Sequence, residues 1–447
     1  MNAIPVIAIF DVGKTNKKLF LFDENYQIVF ERAARFSEIP DEDGFPCENL
    51  QSLSQSVFDS LNEILKLKEF KLKAINFSAY GASFVCLDQD GQPVCPLYNY
   101  LKPYPEQLSN KFYATYDGIE KFCLQTSSPA LGSLNSGLQL YRLKREQPEV
   151  FKKVKYALHL PQYFSFLIAG KHYSDLTSIG CHTAMWDFEK RAYHKWINNE
   201  GITSKLAPIV SSNSVIDATF ENTAVKVGVG LHDSSAALIP YLVNFSEPFI
   251  LLSTGTWCIS LNPFDQSPLT IDELKNDCLQ YLQYNGRPVK ASRLFSGHEH
   301  EAQIKRIAEH FDFDIIHFRN LTFDPQIDQQ LKSKFQQNLN FAERSLTNFK
   351  DAVEAYHQLI SDLIKKQVIS TLLVLKGTPV KRIFVDGGFS KNSVFMHLLA
   401  AAVPGMEVYA ASMAQASAIG AALVIHKDWN TCSIPNDIIQ LKYYSAH

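Results

Sequence analysis

Hydrophobic and polar residues form a strand, turn, strand pattern near the start of the chain, within Val6–Phe22. Two β-rich runs, IAIF and LFLF, flank a short polar turn that contains Gly13 and Lys14, and Asp11 ends the first run. Such a hairpin turn can offer backbone N–H groups to phosphate oxygens, and a carboxylate at a strand end can hold Mg²⁺ through water. An ordinary hairpin with a charged turn explains the pattern equally well.

The letters Gly13-Lys14-Thr15 also match the end of a P-loop, but the flanking pattern excludes that motif. Ala8 stands where the leading glycine would be. A P-loop is followed by a helix, whereas Asn16–Phe22 has the pattern of a strand.

A second strand, turn, strand pattern begins just past the middle of the chain, at Pro248–Asn262. It reads FILLSTGTWCISLN, with Ser253–Thr256 in the turn. Two such hairpins predict two related domains, and we place them at residues 1–243 and 244–447. Turns that face each other across the domain boundary would contact a polyphosphate from both sides.

Apolar spacing predicts the helices and one interrupted strand. The expected helices are Asn49–Leu67, Gly137–Lys144, Pro161–Ile168, Glu301–Phe311, Asp351–Leu375 and Ala414–Ile425. Ala74–Leu87 reads as two strands around a small-residue break that contains Gly81. A glycine there would allow either a ligand to approach the backbone or a simple bulge.

The first of two strand-to-helix junctions follows the β-run Ala224–Gly230. His232 and Asp233 come next, and Ser234–Ser235 is expected to cap a helix that begins at Ala236. A carboxylate at such a junction lies on the ligand-facing edge of an α/β sheet, so we expect Asp233 to combine a capping role with a catalytic one.

The second junction lies within Lys381–Ala402. A buried strand runs into Asp386, Gly387 and Gly388, and Asn392 precedes an apolar helix. Paired glycines between a strand and a helix let a planar or phosphorylated group contact bare backbone.

The cluster His298–Glu301 resembles a metal site but lacks the HExxH spacing, because residue 302 is alanine. Ser296–Glu299 has the pattern of a capping box, so a solvated helix start is the preferred interpretation. Tyr173–Trp186 is mixed in pattern, with His182 among small residues.

Composition describes a globular chain that is large enough for two cores. The 447 residues are 46% hydrophobic and 20% charged, with a net charge of −3. A pI of about 6.5 argues against nucleic-acid binding. The eight cysteines include no CxxC pair, so their spacing indicates neither a zinc site nor a disulfide scaffold. The first apolar run is short and interrupted by Asp11, so we expect a cytoplasmic protein without signal peptide or membrane span.

Four stretches now stand in a fixed order, namely DVGKTNKK, GLHDSSAA, STGTW and VDGGFSKN. Together they resemble the FGGY carbohydrate kinases of the actin-like ATPase superfamily, along essentially the whole chain. The His-Asp pair, STGTW and HLPQYFSFLIAGK are most similar to the L-rhamnulose kinase branch. The resemblance implies an α/β fold of two related actin-like ATPase (ribonuclease H-like) domains with a central nucleotide and sugar cleft. It also implies phosphorylation of a sugar hydroxyl, in a ketose such as L-rhamnulose or a related sugar, with ATP and Mg²⁺.

The resemblance further implies roles by position. Asp11 corresponds to the metal-organising aspartate and Asp233 to the general base. Gly81, His232 and Ser234 fall in the sugar site. The implied phosphate and nucleotide contacts are Gly13, Lys14, Thr15, Asn16, Lys18, Gly255, Thr256, Gly387, Gly388 and Asn392.

Three segments depart from the family pattern. Lys18 stands where relatives generally carry arginine, and a lysine cannot make the same bidentate contact. Tyr98–Tyr104 lacks the usual Asp and Arg, and Leu294 within Arg293–His298 replaces a polar sugar contact. These departures concern the substrate more than the reaction.

Two other functions remain open at this point, a nucleotide- and sugar-binding sensor without phosphotransfer and a glycerol or other polyol kinase. Retention of both Asp11 and Asp233 favours a kinase. The expected partners are a small-molecule sugar and ATP, without nucleic acid or membrane. A homodimer is compatible with the sequence.

Overall fold

The computed structural model describes residues 3–14, 16–335, 340–413 and 415–445. Within them, two seven-stranded sheets follow one another along the chain. The strands of the first sheet are β1 Ile4–Val12, β2 Lys17–Asp23, β3 Ile28–Ala34, β4 Phe70–Ala79, β5 Val215–Phe220, β6 Thr223–Gly228 and β7 Leu231–His232. The strands of the second sheet are β8 Phe249–Thr254, β9 Cys258–Asn262, β10 Cys278–Leu282, β11 Pro288–Leu294, β12 Arg382–Gly387, β13 Glu407–Ser412 and β14 Gln440–Tyr444.

Helices cover the sheets and fill the long connection between β4 and β5. They are α1 Leu50–Lys66, α2 Glu106–Thr115, α3 Ile119–Thr126, α4 Ser136–Glu146, α5 Pro148–Lys153, α6 Leu160–Ala169, α7 Leu176–Ile179, α8 Lys195–Asn199, α9 Asp233–Asn244, α10 Ile271–Lys275, α11 Ser296–Phe311, α12 Ile315–Phe318, α13 Pro325–Lys334, α14 Ala352–Leu375, α15 Ser393–Ala402, α16 Ala416–Leu423 and α17 His426–Trp429. Short two-stranded ribbons accompany them, of which Phe84–Leu87 with Tyr156–His159 is the longest. Among the described residues, none of the helices has both the length and the apolar composition that crossing a membrane requires.

The two sheets share one arrangement around their hairpins. In the first sheet, β2 lies antiparallel between β1 and β3, and β4 runs parallel to β1. In the second sheet, β9 lies antiparallel between β8 and β11, and β12 runs parallel to β8. The predicted repeat of the hairpin is therefore confirmed, and the molecule is an α/β protein with two related sheet domains. The predicted boundary between residues 243 and 244 falls at the end of α9 and stays a prediction.

The strand β1 is buried on both faces because apolar residues occupy both sets of alternating positions. Val6 and Ala8 face a core that belongs to the first domain. Ile7 and Ile9 face a second core that also contains Leu251 from β8 and other residues of the second domain. This shared core holds the two sheets in one unit.

A close helix crossing completes the connection between the domains. A Cβ atom at Gly420 of α16 would lie 1.9 Å from the carbonyl oxygen of Ala236 in α9, so only glycine allows this approach. Beside the crossing, the Asn76 side chain donates from Nδ2 to the carbonyl oxygen of Ala421 at 2.7 Å. Asn76 Oδ1 accepts a hydrogen bond from the Gly230 amide at 3.1 Å, which fixes the segment before α9.

Two predicted helix starts are wrong. Helix α9 begins at Asp233, not at Ala236, because His232 holds the extended N-cap conformation and the two serines lie inside the first turn. Helix α11 begins at Ser296, so no capping box precedes it. The Glu299 side chain instead accepts hydrogen bonds from Lys366 of α14 at 2.8 Å.

Candidate active site

Asp11 lies near the end of β1 and receives a hydrogen bond from the other domain. The Ser417 hydroxyl of α16 donates to Asp11 Oδ2 at 2.9 Å. Ser78 of β4 and Lys18 of β2 are its neighbours across the sheet. Burial raises the pKa of Asp11 to about 6; the Ser417 hydrogen bond lowers it, and the nearby charge of Asp233 raises it. The two carboxylates therefore belong to one electrostatic site.

Asp233 is the first residue of α9, where the helix amides favour an anion. Its Oδ1 accepts hydrogen bonds from the Ser234 amide at 2.6 Å and from the Ser234 hydroxyl at 3.2 Å. Burial nevertheless raises the pKa of Asp233 to about 6. With 33% of the side chain still exposed, the carboxylate is deeply set but reachable. At neutral pH it is mostly ionised and can accept a proton.

His232 packs directly against the Asp233 carboxylate. Its Nε2 atom lies 3.2 Å from Asp233 Oδ1 and 3.1 Å from the sulfur of Cys181, and its ring stacks on Tyr281 at 5.9 Å. Burial lowers the pKa of His232 to about 3, so the ring is neutral. The neutral imidazole ring thus forms a polar surface beside the Asp233 carboxylate.

Gly81 allows the His232 ring to pack close to the backbone. A Cβ atom at Gly81 would lie 2.9 Å from Cδ2 of His232. The predicted contact of Gly81 with a sugar stays a prediction.

The turn between β1 and β2 is held by a hydrogen bond from the Gly13 amide to the Asn16 carbonyl at 2.9 Å. The Lys14 ammonium pairs with Glu38 at 2.6 Å and with Glu48 at 3.2 Å. Lys18 pairs with Glu31 at 2.9 Å. Both lysines predicted as phosphate contacts are engaged by glutamates, and that role stays a prediction. Thr15 lies outside the described residues.

The turn between β8 and β9 is also closed by a glycine amide, but it is one residue shorter and carries no charged side chain. The Gly255 amide donates to the Trp257 carbonyl at 2.9 Å. Helix α11 begins against this turn, and a Cβ at Gly297 would lie 1.8 Å from the Gly255 carbonyl oxygen. Gly255 and Thr256 are exposed, so a ligand can reach both.

The two glycines after β12 have different surroundings. Gly387 has a φ of +87°, and a Cβ there would lie 1.9 Å from the Thr254 carbonyl oxygen. Among the described residues, no heavy atom beyond Gly388 and its two chain neighbours lies within 4 Å of a Cβ built on Gly388. Asn392 caps α15 through the Phe395 amide at 3.0 Å and donates to Tyr356 at 2.6 Å. Of the three predicted contacts, Gly388 offers open backbone, whereas Gly387 and Asn392 have structural roles.

Several residues at the site were not predicted. Ser417 and Tyr281 come from the second domain and contact Asp11 and His232. Arg293 pairs with Asp277 at 2.5 Å, and its charge influences the pKa of His182 near the same surface. No sequence spacing links these residues to the motifs, because the fold alone brings them together.

A cavity of about 850 Å³ opens elsewhere, along Phe70–Lys73 and Thr223–Lys226. These segments lie at the start of β4 and β6, whereas Ser78 and Ala79 end β4 beside Asp11. The cavity therefore lies at the opposite ends of these strands from Asp11. It is not part of the candidate site around the two carboxylates.

Comparisons with known proteins agree with this geometry. A sequence model described as the FGGY family of carbohydrate kinases, N-terminal domain, matches residues 6–239, and one described as carbohydrate kinase FGGY, C-terminal domain, matches residues 246–432. A protein of Mannheimia succiniciproducens named rhamnulokinase is 23% identical over 93% of this chain and 88% of its own length. The crystal structure of a carbohydrate kinase from Novosphingobium aromaticivorans superposes with a TM-score of 0.81 at 23% identity, covering 99% of this chain and 95% of the other. For the ligand-bound xylulose kinase of Lactobacillus acidophilus the TM-score is 0.79 at 16% identity, with 99% and 94% covered.

Proposed function

The chain belongs to the FGGY family of carbohydrate kinases, and we propose that it transfers the γ-phosphoryl group of ATP to a hydroxyl of a ketose or a related sugar. The observation that carries this proposal is the pair Asp11 and Asp233. Each carboxylate has a pKa raised to about 6 by burial, and each lies where the two domains meet. A base with a pKa just below neutral is ionised yet still able to take up a proton.

Asp233 acts on the sugar hydroxyl. The hydroxyl oxygen forms a bond to the γ-phosphorus while the bond from that phosphorus to the bridging oxygen of ADP breaks. The hydroxyl proton passes to an oxygen of Asp233 and then to solvent. Because Oδ1 is held by Ser234 and lies beside His232, we assign Oδ2 as the oxygen that takes the proton.

Asp11 supports the phosphates. Its surroundings offer oxygen ligands, from the carboxylate and from the hydroxyls of Ser78 and Ser417, and Mg²⁺ prefers oxygen ligands. Bound there through water, Mg²⁺ would neutralise charge on the phosphate oxygens. The proposed ATP contacts are the backbone of the two hairpin turns, apart from the Gly13 and Gly255 amides that close them, and the open backbone at Gly388.

The proposed substrate class rests on relatives. The Mannheimia succiniciproducens relative is named rhamnulokinase, which supports a ketose such as L-rhamnulose. Leu294, at the end of β11, offers no hydrogen bond where those kinases carry a polar residue. A related sugar therefore remains within the proposal.

The test is ADP release from ATP and Mg²⁺ with a panel of ketoses, aldoses and polyols. We expect release that depends on the sugar and is fastest with a ketose. Fastest release with glycerol or another polyol would contradict the ketose assignment. Tight sugar binding without ADP release from any acceptor would identify a sensor and overturn the proposed activity.

A further inference from the structure

A cluster of soft metal ligands lies directly behind the proposed base. Cys181, His182 and His232 each contribute one ligand atom, and these atoms lie within 4.8 Å of one another. All three side chains are buried, with exposures of 0%, 9% and 3%. Thiolate and imidazole together favour zinc and similar ions over Mg²⁺. The cluster is therefore chemically distinct from the oxygen donors around Asp11.

The geometry is close to that of a zinc site. Tetrahedral zinc binds sulfur and nitrogen at about 2.3 and 2.0 Å, which places its donor atoms roughly 3.5 Å apart. The Cys181 sulfur and His232 Nε2 are already 3.1 Å apart. The His182 ligand atom lies within 4.8 Å of the other two, so a shift on the order of 1 Å would complete three bonds.

The hydrogen bond of His182 to a backbone carbonyl orients its ring as in a metal ligand. Its Nδ1 lies 3.2 Å from the Leu134 carbonyl oxygen and donates to it, which leaves the lone pair on Nε2 free. Metal-binding histidines commonly donate their other ring N–H to a carbonyl in this way. His182 also has a φ of 39°, a strained value for a residue with a side chain.

His232 would bind through Nε2, the ring nitrogen that lies 3.1 Å from the Cys181 sulfur, so its Nδ1 would carry the ring proton. That Nδ1 has no hydrogen-bond partner among the described residues, although the ring is buried. Burial lowers the pKa of both His182 and His232 to about 3, so both rings are neutral and each keeps one nitrogen lone pair. Burial raises the pKa of the Cys181 thiol, so the cation must displace that proton on binding.

We propose that Cys181, His182 and His232 form a binding site for a thiophilic divalent cation of the zinc class, and that occupancy inhibits the kinase. His232 Nε2 lies 3.2 Å from Asp233 Oδ1, so the carboxylate is within reach as a fourth ligand. A carboxylate that binds a cation no longer accepts the sugar proton. Only the inhibition rests on the proposed function, because binding itself requires no turnover.

The experiment uses the full chain with Co²⁺ as a spectroscopic probe and Zn²⁺ for stoichiometry. We expect one equivalent of Zn²⁺ to remain after dialysis and Co²⁺ to give a thiolate charge-transfer band. Cys181→Ala should abolish the band, and His182→Gln should weaken it. Cys123→Ala is the matched control, since Cys123 is equally buried in α3 but outside the cluster, and it should retain the band.

Absence of the cobalt band from the wild-type protein, or its persistence in Cys181→Ala, would overturn the site. Zn²⁺ should also inhibit ADP release, with relief by a chelator that prefers zinc to magnesium, and the Cys123→Ala variant should be inhibited to the same extent. Full activity of the zinc-loaded protein would contradict the proposed inhibition but not the proposed binding site. If Asp233→Asn keeps full kinase activity, the proposed base is wrong while the cobalt result still stands.

Discussion

The turn between β1 and β2 and the turn between β8 and β9 occupy equivalent places in the two sheets but differ in length and in chemistry. Each is closed by a glycine amide that donates to a carbonyl at 2.9 Å. The first turn follows Asp11 and carries lysines that pair with Glu38, Glu48 and Glu31. The second turn has no charged residue and is exposed at Gly255 and Thr256.

The carboxylates near the two turns extend the contrast. Asp11 accepts a hydrogen bond from Ser417 of α16, and Asp386 on β12 accepts one from Tyr241 of α9 at 3.1 Å. Each domain therefore bonds the carboxylate of the other, but Asp233 lies beside Asp11 only. The two carboxylates proposed to act in the reaction, Asp11 and Asp233, therefore both lie in the first domain. The turn of the second domain offers uncharged backbone instead.

The largest expected effect concerns the base. Asp233→Asn should lower kcat by roughly 10²–10⁴-fold, the usual contribution of general acid–base catalysis. The affinity for ATP should stay within a factor of about two, because the proposed role of Asp233 is toward the sugar and not toward the nucleotide. Steady-state kinetics and nucleotide binding check both parts, and near-normal turnover would remove Asp233 from the mechanism.

The next effect concerns the metal. Asp11→Ala should raise the Mg²⁺ requirement by about 10–100-fold, the usual cost of losing a group that holds a metal through its outer shell. Circular dichroism should show an intact fold. A Mg²⁺ titration identical to that of the wild type would mean that Asp11 is only a turn residue.

Substitutions at Gly387 and Gly388 of the second domain should distinguish an effect on ATP binding from an effect on folding. Gly388→Val should raise the KM for ATP by about tenfold, equivalent to roughly 1.4 kcal/mol, since its side chain would occupy open space. Gly387→Val should instead destabilise the protein, because its side chain would overlap the Thr254 backbone. Thermal melts and KM values distinguish the two. A loss of sugar affinity in Gly388→Val would reverse our placement of the two ligands.

The smallest effect concerns pH. Because the pKa of Asp233 is raised to about 6, kcat/KM should fall as the pH drops through 6, to about half its plateau at that pH. The free energy of unfolding should instead increase as the pH falls. A carboxyl whose folded pKa lies above its unfolded value favours folding when protonated, so unfolding should become easier as the pH rises from about 4 to 6. The Asp233→Asn variant should weaken both trends and leave the share of Asp11, whose pKa burial also raises to about 6, and unchanged trends in that variant would assign them to Asp11 or another group.

The sequence was sufficient to predict both hairpins and to place Asp11 and Asp233 at strand ends, because local patterning dictates these, whereas the roles of the two carboxylates stay predictions. It also predicted α1 and α14 within one residue at most boundaries, since their apolar spacing is regular. It misplaced the start of α9, because Ser234–Ser235 and His232 are both compatible with a cap. Only the extended backbone of His232 decides between them.

The remaining site residues depend on tertiary structure. Ser417 and Asp11 are 406 residues apart in the chain, and no local pattern connects them. The same holds for Cys181 and His232, whose separation of 51 residues hides them from spacing rules for metal motifs. The lysines of the first turn were visible as charges, but their pairing with Glu38 and Glu48 was not.

The most direct test of the asymmetry between the domains is ADP release with and without sugar in the wild type, Asp233→Asn and Asp386→Asn. We predict that release in the wild type requires sugar. It should nearly vanish in Asp233→Asn and stay within about threefold of the wild type in Asp386→Asn, since only Asp233 takes the proton. Release that is independent of sugar, or an equal loss in both variants, would contradict the assignment of the chemistry to the first domain.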